Sequence, residues 1–333
     1  MNKSNKSSMS TFIVDNILYI SLILMVVIIA CISPAFVSIS VASDVLIQSA
    51  PRLLLAMGML VVIISGGMDM TIGRLAGLGS IIAGSLAQQA TYYLKFWQNL
   101  PELPIIVPLI VSILVGMISG AITGFVISKL NVPPFLAGLG LQLVIYGAGL
   151  LLMKKEPNNS QPLAGFKESF TKFGTGSVFG INYMVLISIT IMIFVYILLN
   201  KTTLGKNIYA TGGNREAAKV VGVNVFHIDM FVYILSGALA AFAGCMLAAR
   251  TGSAQATYAE GYEMDAIASC IIGGASFSGG IGNVPGTFLG VIIFSVINYG
   301  LTFVGLSSYW QFVVKGLIII VAVALDMKKY KQK

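Results

Sequence analysis

Arg52 and Lys315 stand inside apolar runs, at 45–64 and 309–325, and Glu260, Glu263 and Asp265 gather at the start of another, 262–277. A charge held among hydrocarbon is costly, so such residues either pair with one another or face a watery route for a solute. Long basic stems also reach toward the interface. The two bases and the acids therefore predict a contact: Glu263 or Asp265 beside Arg52 or Lys315. Uncharged polar residues share the same kind of run: Gln48, Ser49, Gln142, Tyr146, Asn298 and Tyr299. They suit the wall of a pathway for a hydroxyl-rich solute, and equally they suit hydrogen bonds between neighbouring helices.

Other chemistries lack their parts. The sole histidine, His227, has no second metal ligand near it, so no metal site is expected. Cys31, Cys245 and Cys270 fall in apolar stretches without CxxC spacing and read as packing thiols. No G-x4-GK[ST] motif occurs, which removes a phosphate loop and ATP hydrolysis from this chain. No nucleophile and base set emerges either, so a membrane-embedded enzyme is not the expectation.

One frame repeats. "SGGMDMTIGRLAG" (65–77) and "SGGIGNVPGTFLG" (278–290) share S-G-G-x5-G-x3-G. Gly66, Gly67 and Asp69, and in the second copy Gly279, Gly280, Gly282 and Asn283, suit tight turns. Each turn leads into a glycine-faced segment, through Gly73 in the first copy and Gly286 in the second. Close approach of neighbouring backbones is the expected use of these glycines, and of Gly116, Gly120 and Gly124.

The elements that must position these groups are long and apolar. The chain has 333 residues, 57% hydrophobic and only 10% charged, where soluble domains carry about a quarter charged residues. A bilayer-crossing helix needs about 20 apolar residues. On that basis spans are expected near 12–32, 45–64, 70–90, 104–128, 133–153, 181–199, 226–249, 262–277, 284–304 and 309–325. The third and eighth are weakened by glycine and serine. The fold class is thus an all-α polytopic membrane protein of about ten transmembrane helices. With the N-terminus inside, Lys3, Lys6, Lys129, Lys201, Lys206, Arg215, Lys219, Lys328, Lys329, Lys331 and Lys333 fall on the inner side, against Lys95, Lys154, Lys155, Lys167, Lys172 and Arg250 outside. The richer inner set follows the positive-inside rule and puts both termini in the cytoplasm. Arg52 and Lys315 then lie in the outer third of their runs, Asp69 lies at an inner turn, and no acid lies clearly at mid-membrane. The net charge of +8 is accounted for by these lysines and calls for no nucleic acid. The region 154–180 is the longest outer segment and reads as a polar loop.

The inner stretch "GKNIYATGGNREAAKVVGVN" (205–224) is different. Asn214 can cap a short helix, Glu216 suits its first turn, Lys219 its last, and Gly222 its end. A helix of about seven residues is not stable alone, so it must lean on something. Ala217, Val220 and Val221 form an apolar side for a partner, with Arg215 and Lys219 placed to reach acids around it.

The stretches "SGGMDMTIGRLAGLGS", "GGNREAAKVVGVNV" and "IIGGASFSGGIGNVPGT", in this order, resemble the permease subunits of bacterial sugar ABC importers, the ribose, arabinose, xylose and galactose group. "YEMDAIASCIIGGASFSGGIG" resembles the galactose and methyl-galactoside branch most. The resemblance covers nearly the whole chain. It implies a single transmembrane permease domain over 1–333 in the bacterial cytoplasmic (inner) membrane, with an extracytoplasmic loop at 154–180 and a coupling loop at 200–225. The coupling helix falls on Gly212, Gly213, Asn214, Arg215, Glu216, Ala217, Ala218, Lys219, Val220 and Val221. Implied partners are a separate ATPase subunit that holds the ATP and magnesium, a second permease subunit (as a homodimer), an extracytoplasmic sugar-binding protein and membrane lipid. No cofactor is implied in this chain. The implied cargo is galactose, glucose or methyl galactoside. Relatives of the group carry ribose or other pentoses, nucleosides, branched-chain amino acids or a furanosyl signalling sugar. A secondary sugar porter is the more remote alternative, and it would want a coupling carboxylate at mid-membrane.

Overall fold

The computed structural model describes residues 17–307, 309–317 and 320. The start of the first expected span, the end of the tenth, and Lys3, Lys6, Lys328, Lys329, Lys331 and Lys333 lie outside the described residues. The architecture is helical. Among the described residues, six helices are long and apolar enough to cross a bilayer: α2 (Ile39–Ile64), α4 (Ile106–Lys129), α5 (Pro134–Lys154), α7 (Tyr183–Lys201), α10 (Val225–Thr251) and α12 (Val284–Phe303). They are accompanied by α1 (Ile17–Ile32), α3 (Ile72–Leu86), α6 (Glu168–Thr175), α8 (Thr203–Gly213), α9 (Arg215–Val220), α11 (Tyr262–Ile272) and a helical stretch at 309–317.

The long helices invert the pattern of a soluble protein. On α4 the small residues Ser112, Gly116, Gly120, Thr123 and Gly124 are buried, while Ile110, Leu114, Ile118, Ile122 and Phe125 are exposed. Lipid is as apolar as a protein interior, so the inward face is chosen for close approach rather than greasiness. The approach is real. A Cβ on Gly116 or Gly120 would overlap the carbonyl oxygen of Gly237 or Tyr233 on α10, and one on Gly124 would stand 3.2 Å from the Met230 Cα. The α10 helix forms the hub, packing on α4, α3 and α2. It starts at Asn224, whose side chain accepts from the His227 N–H, and ends at Gly252 in the left-handed conformation. The α2 helix is enclosed from Leu53 to Ile64.

The third and eighth expected spans are half-length helices. At about 1.5 Å per residue, the 15 residues of α3 and the 11 of α11 fall well short of a bilayer core of about 30 Å. Glycine turns replace the missing halves. Irregular backbone is tolerated at such depth only where protein surrounds it and supplies hydrogen bonds. Asp69 does so for the first turn: its Oδ1 accepts from the backbone N–H and the hydroxyl of Thr71, at 3.0 and 2.6 Å. The Tyr233 hydroxyl donates to the Met68 carbonyl at 3.4 Å.

Two expectations change. The region 154–180 is not a plain loop: it holds α6 and a small hairpin of β1 (Ser177–Val178) and β2 (Ile181–Asn182). It is pinned by buried Phe166 and Phe170 and by bridges from Leu163 to Ala254 and from Phe166 to Gln88. Cys245 and Cys270 are buried thiols as expected, but Cys31 is exposed on α1, whose outward residues Ile23, Leu24, Val27 and Ile28 are also exposed.

Candidate functional site

Two sets of residues stand out. The first is built around α9. Asn214 caps it, its side chain accepting from the Ala217 N–H at 2.9 Å, and Gly222 follows with φ of +88°. Glu216 and Lys219, in the first and last turns, pair with each other at 2.7 Å. Arg215 bonds to Asp229 at the start of α10. Both bases are thus engaged within the chain, against the expectation that they reach for a partner's acids. Beside these charges the helix leaves an apolar tip open: Val220 is 87% and Val221 78% exposed, and Ala217 is exposed beside them while Ala218 is buried. A helix not expected from the residues, α8, runs into α9 and is capped by Thr202 through the Gly205 N–H at 3.0 Å.

The root of α9 is a knot of glycines. Gly212, at the end of α8, lies so close to the first glycine turn that a Cβ on it would overlap the Ile64 carbonyl oxygen and stand 2.6 Å from the Gly280 nitrogen. A Cβ on Gly279 would stand 2.6 Å from the Gly212 oxygen and 2.9 Å from the Gly66 Cα, and one on Gly280 2.8 Å from the Gly213 Cα. The Gly280 N–H donates to the Ile64 carbonyl at 2.8 Å. Gly66, Gly279 and Gly280 all have positive φ, which only glycine adopts freely. Thus the repeated turns touch each other and both touch the residues that lead into α9. Tyr209 on α8 adds a further tie, its hydroxyl donating to the Gly282 carbonyl at 2.7 Å; burial holds that hydroxyl above its usual titration range. Beyond the knot, Gly67 lies against the Tyr233 ring hydroxyl, Gly73 against Ala259 and Glu263, and Gly286 against Gly273. Asn283 caps α12, its side chain accepting from the Gly286 N–H at 2.6 Å.

The second set is charged. Arg52 lies near the midpoint of the 26-residue α2. Asp265 stands between the two bases: its Oδ2 accepts from Lys315 at 3.0 Å and lies 3.6 Å from Arg52 Nε. Arg52 also donates to the Gln48 carbonyl at 2.9 Å and to the Tyr262 hydroxyl at 3.0 Å. Glu263, two residues earlier on α11, turns the other way, toward Gly73 of α3. There Arg74, a residue that the sequence reading passed over, donates to Glu260 at 2.7 Å and stacks over Tyr146 at 4.2 Å from its centroid. A charge inside the glycine-rich run 70–90 was the signal available for it.

The polar residues divide. Ser49 is buried and donates to its own helix, to the Leu46 carbonyl at 2.8 Å. Tyr299 donates to Asp44 at 2.9 Å. Asn298 is buried, and neither atom of its amide has a hydrogen-bond partner among the described residues. Gln142 and Tyr146, four apart, lie on the side of α5 that packs on α3, where Gly138 meets Met70 and Gly149 meets Ile81. Deep acids exist after all. Asp69 lies beside Ser236, near the midpoint of the 27-residue α10, and accepts its hydroxyl at 2.7 Å. It is held by Ser236 and Thr71, as Asp265 is held by Arg52 and Lys315, so both carboxylates serve structural bonds. No cluster of metal ligands occurs among the described residues.

The galactose/methyl galactoside import permease protein MglC of Escherichia coli (strain K12) is 41% identical over 337 residues, 100% of each chain. The protein of that name from Haemophilus influenzae is 39% identical over the same span. The ribose import permease protein RbsC of Bacillus subtilis (strain 168) is 38% identical over 312 residues, 93% of this chain and 92% of its own. No solved structure matches the chain. The family described as branched-chain amino acid transport system / permease component matches residues 41–323. With its apolar full-length helices, the chain is an integral membrane protein and belongs to this permease family.

Proposed function

We propose that the chain is the membrane subunit of an ATP-driven importer of monosaccharides, with galactose, glucose and methyl galactoside as its cargo. Full-length likeness to permeases named for galactose and methyl galactoside supports that cargo. Ribose is the second reading, favoured by the 38% identity to a permease named for it. The chain forms one permease domain of about ten spans with both termini cytoplasmic, and it works with a second copy. A binding protein outside delivers the sugar to the face that carries 154–180. ATP and magnesium reside on a separate ATPase.

The observation that carries the reading is α9. It is a capped helix of 6 residues, too short to persist alone, with an apolar tip in the open and its root in the glycine knot. We assign 200–225 as the coupling loop and the tip of α9 as the ATPase contact. The charges around that contact come from the ATPase side, since Arg215 and Lys219 are already paired. The glycine knot transmits: movement of α9 is passed through backbone contact to both turns, and so to the half-helices α3 and α11. Replacing Ala217 with Arg tests this, because the position is exposed and touches no span. The expected result is a permease that inserts normally while ATPase recovery and sugar uptake fall together. Full uptake with a normally bound ATPase would refute the assignment.

A further inference from the structure

Arg74, Tyr146, Glu260 and Glu263 come from α3, α5, the segment before α11, and α11 itself, and they meet on one side of Gly73. Their bonding is incomplete. Arg74 uses Nη2 on Glu260 and its guanidinium face on the Tyr146 ring, while its Nη1 is buried without a partner. Glu263 Oε2 is likewise buried and unpartnered, seated against the Gly73 backbone. A buried donor and a buried acceptor left open are each costly, by about 1–3 kcal/mol or more when charged. Arg52 Nε and Asp265 Oδ1 are left open in the same way, but those side chains are only 13% and 2% exposed. Glu260 is 57% exposed and Arg74 19%, so the group opens to a surface rather than sealing a core.

That surface is not one for lipid. The side of α5 that bears Gln142 and Tyr146 lies on α3, and the side that bears Leu143, Val144, Leu150 and Leu151 is exposed and apolar. Charged groups within a bundle either pair fully with one another or line a solute route, and this set is not fully paired. The set offers what a neutral polyol needs. Carboxylates accept from hydroxyls, the guanidinium donates to hydroxyl oxygens, and an aromatic ring supplies an apolar edge. With one base to two acids, it disfavours an anionic sugar phosphate.

We infer that Arg74, Tyr146, Glu260 and Glu263 form a station that reads the hydroxyls of a neutral monosaccharide in transit, and that it contributes to the choice among sugars. The inference rests on the import function proposed above. Its test uses the permease reconstituted in vesicles with its ATPase and binding protein, with galactose and glucose uptake measured side by side, since these sugars differ in the orientation of one hydroxyl. Arg74→Lys and Glu263→Gln are expected to shift the ratio of the two uptake rates by about tenfold, the effect of one altered hydrogen bond to a charged group. Lys129→Gln, at the exposed end of α4, should leave the ratio unchanged. An equal fall for both sugars, or no change, would overturn the inference. A labelling experiment avoids dependence on those variants. In a Cys31→Ser background, where the remaining cysteines are buried, Gln142→Cys is exposed to a permeant thiol reagent with and without high-millimolar methyl galactoside. Slower labelling with sugar is expected, and an unchanged rate would overturn the station. Wild-type vesicles that carry no sugar at all would instead refute the import function.

Discussion

Gly212→Ala is the most incisive perturbation of the glycine knot. The added methyl would overlap the Ile64 carbonyl oxygen and stand 2.6 Å from the Gly280 nitrogen. Both neighbours are backbone atoms, so neither can rotate aside. The ends of α2 and α8 must part, and the bond from the Gly280 N–H to the Ile64 carbonyl, 2.8 Å long, lies in that gap. Overpacking of this kind costs about 1–3 kcal/mol, and loss of the hydrogen bond adds about 1 kcal/mol. The neighbouring substitution supplies the control. A Cβ on Gly213 has nothing within 4 Å, and replacing a helical glycine with alanine is favourable by about 0.5–1 kcal/mol. Thermal ramps on the detergent-purified permease, read as the fraction surviving size exclusion, should place Gly212→Ala several degrees below wild type and Gly213→Ala at or above it. If the two variants melt together, the knot is looser than these contacts require and the argument for transmission through it fails.

Asp265→Asn should be strongly destabilising, by about 3–5 kcal/mol, because it leaves Arg52 and Lys315 without their shared counter-ion. Lys315→Met should cost less, since Arg52 keeps Asp265, and the double variant should recover part of the loss; melting of the three side by side checks this. Asp69→Ala should cost about 1–3 kcal/mol by stranding the buried hydroxyls of Ser236 and Thr71, again read by melting, and Asp69→Asn should be milder. For orientation, a cysteine at Ser160 should react with an impermeant reagent applied from outside and one at Lys206 should not; the reverse pattern would invert the topology.

The long helices were legible because length and apolar content suffice to identify them: the second, fourth, fifth, sixth, seventh and ninth expected runs are all full helices. The cap of α9 was legible because Asn214, Glu216, Lys219 and Gly222 each act within a few residues of their own position. What escaped was set by contact across the fold. The half-length of α3 and α11 follows from glycine turns packed against each other, and nothing local to 70–90 or 262–277 fixes where those turns meet. Arg215 read as free because its partner, Asp229, belongs to the next helix. Arg74 was passed over in a run already weakened by glycine, although a charge there carries the same warning as Arg52. The position of Asp69 shows the limit most clearly. It reads as a turn residue, and it is one, but the turn climbs into the bundle to reach Ser236.

As proposed, this permease moves monosaccharide at the expense of ATP hydrolysed by another subunit. The direct measurement is uptake of labelled galactose into vesicles that hold the permease with its ATPase, with the binding protein outside. Uptake should require ATP inside the vesicle compartment where the ATPase sits, require the binding protein, and be indifferent to a proton gradient. Uptake by the permease alone, driven by a proton or sodium gradient without ATP, would contradict the account and return Asp69 and Asp265 to consideration as coupling carboxylates.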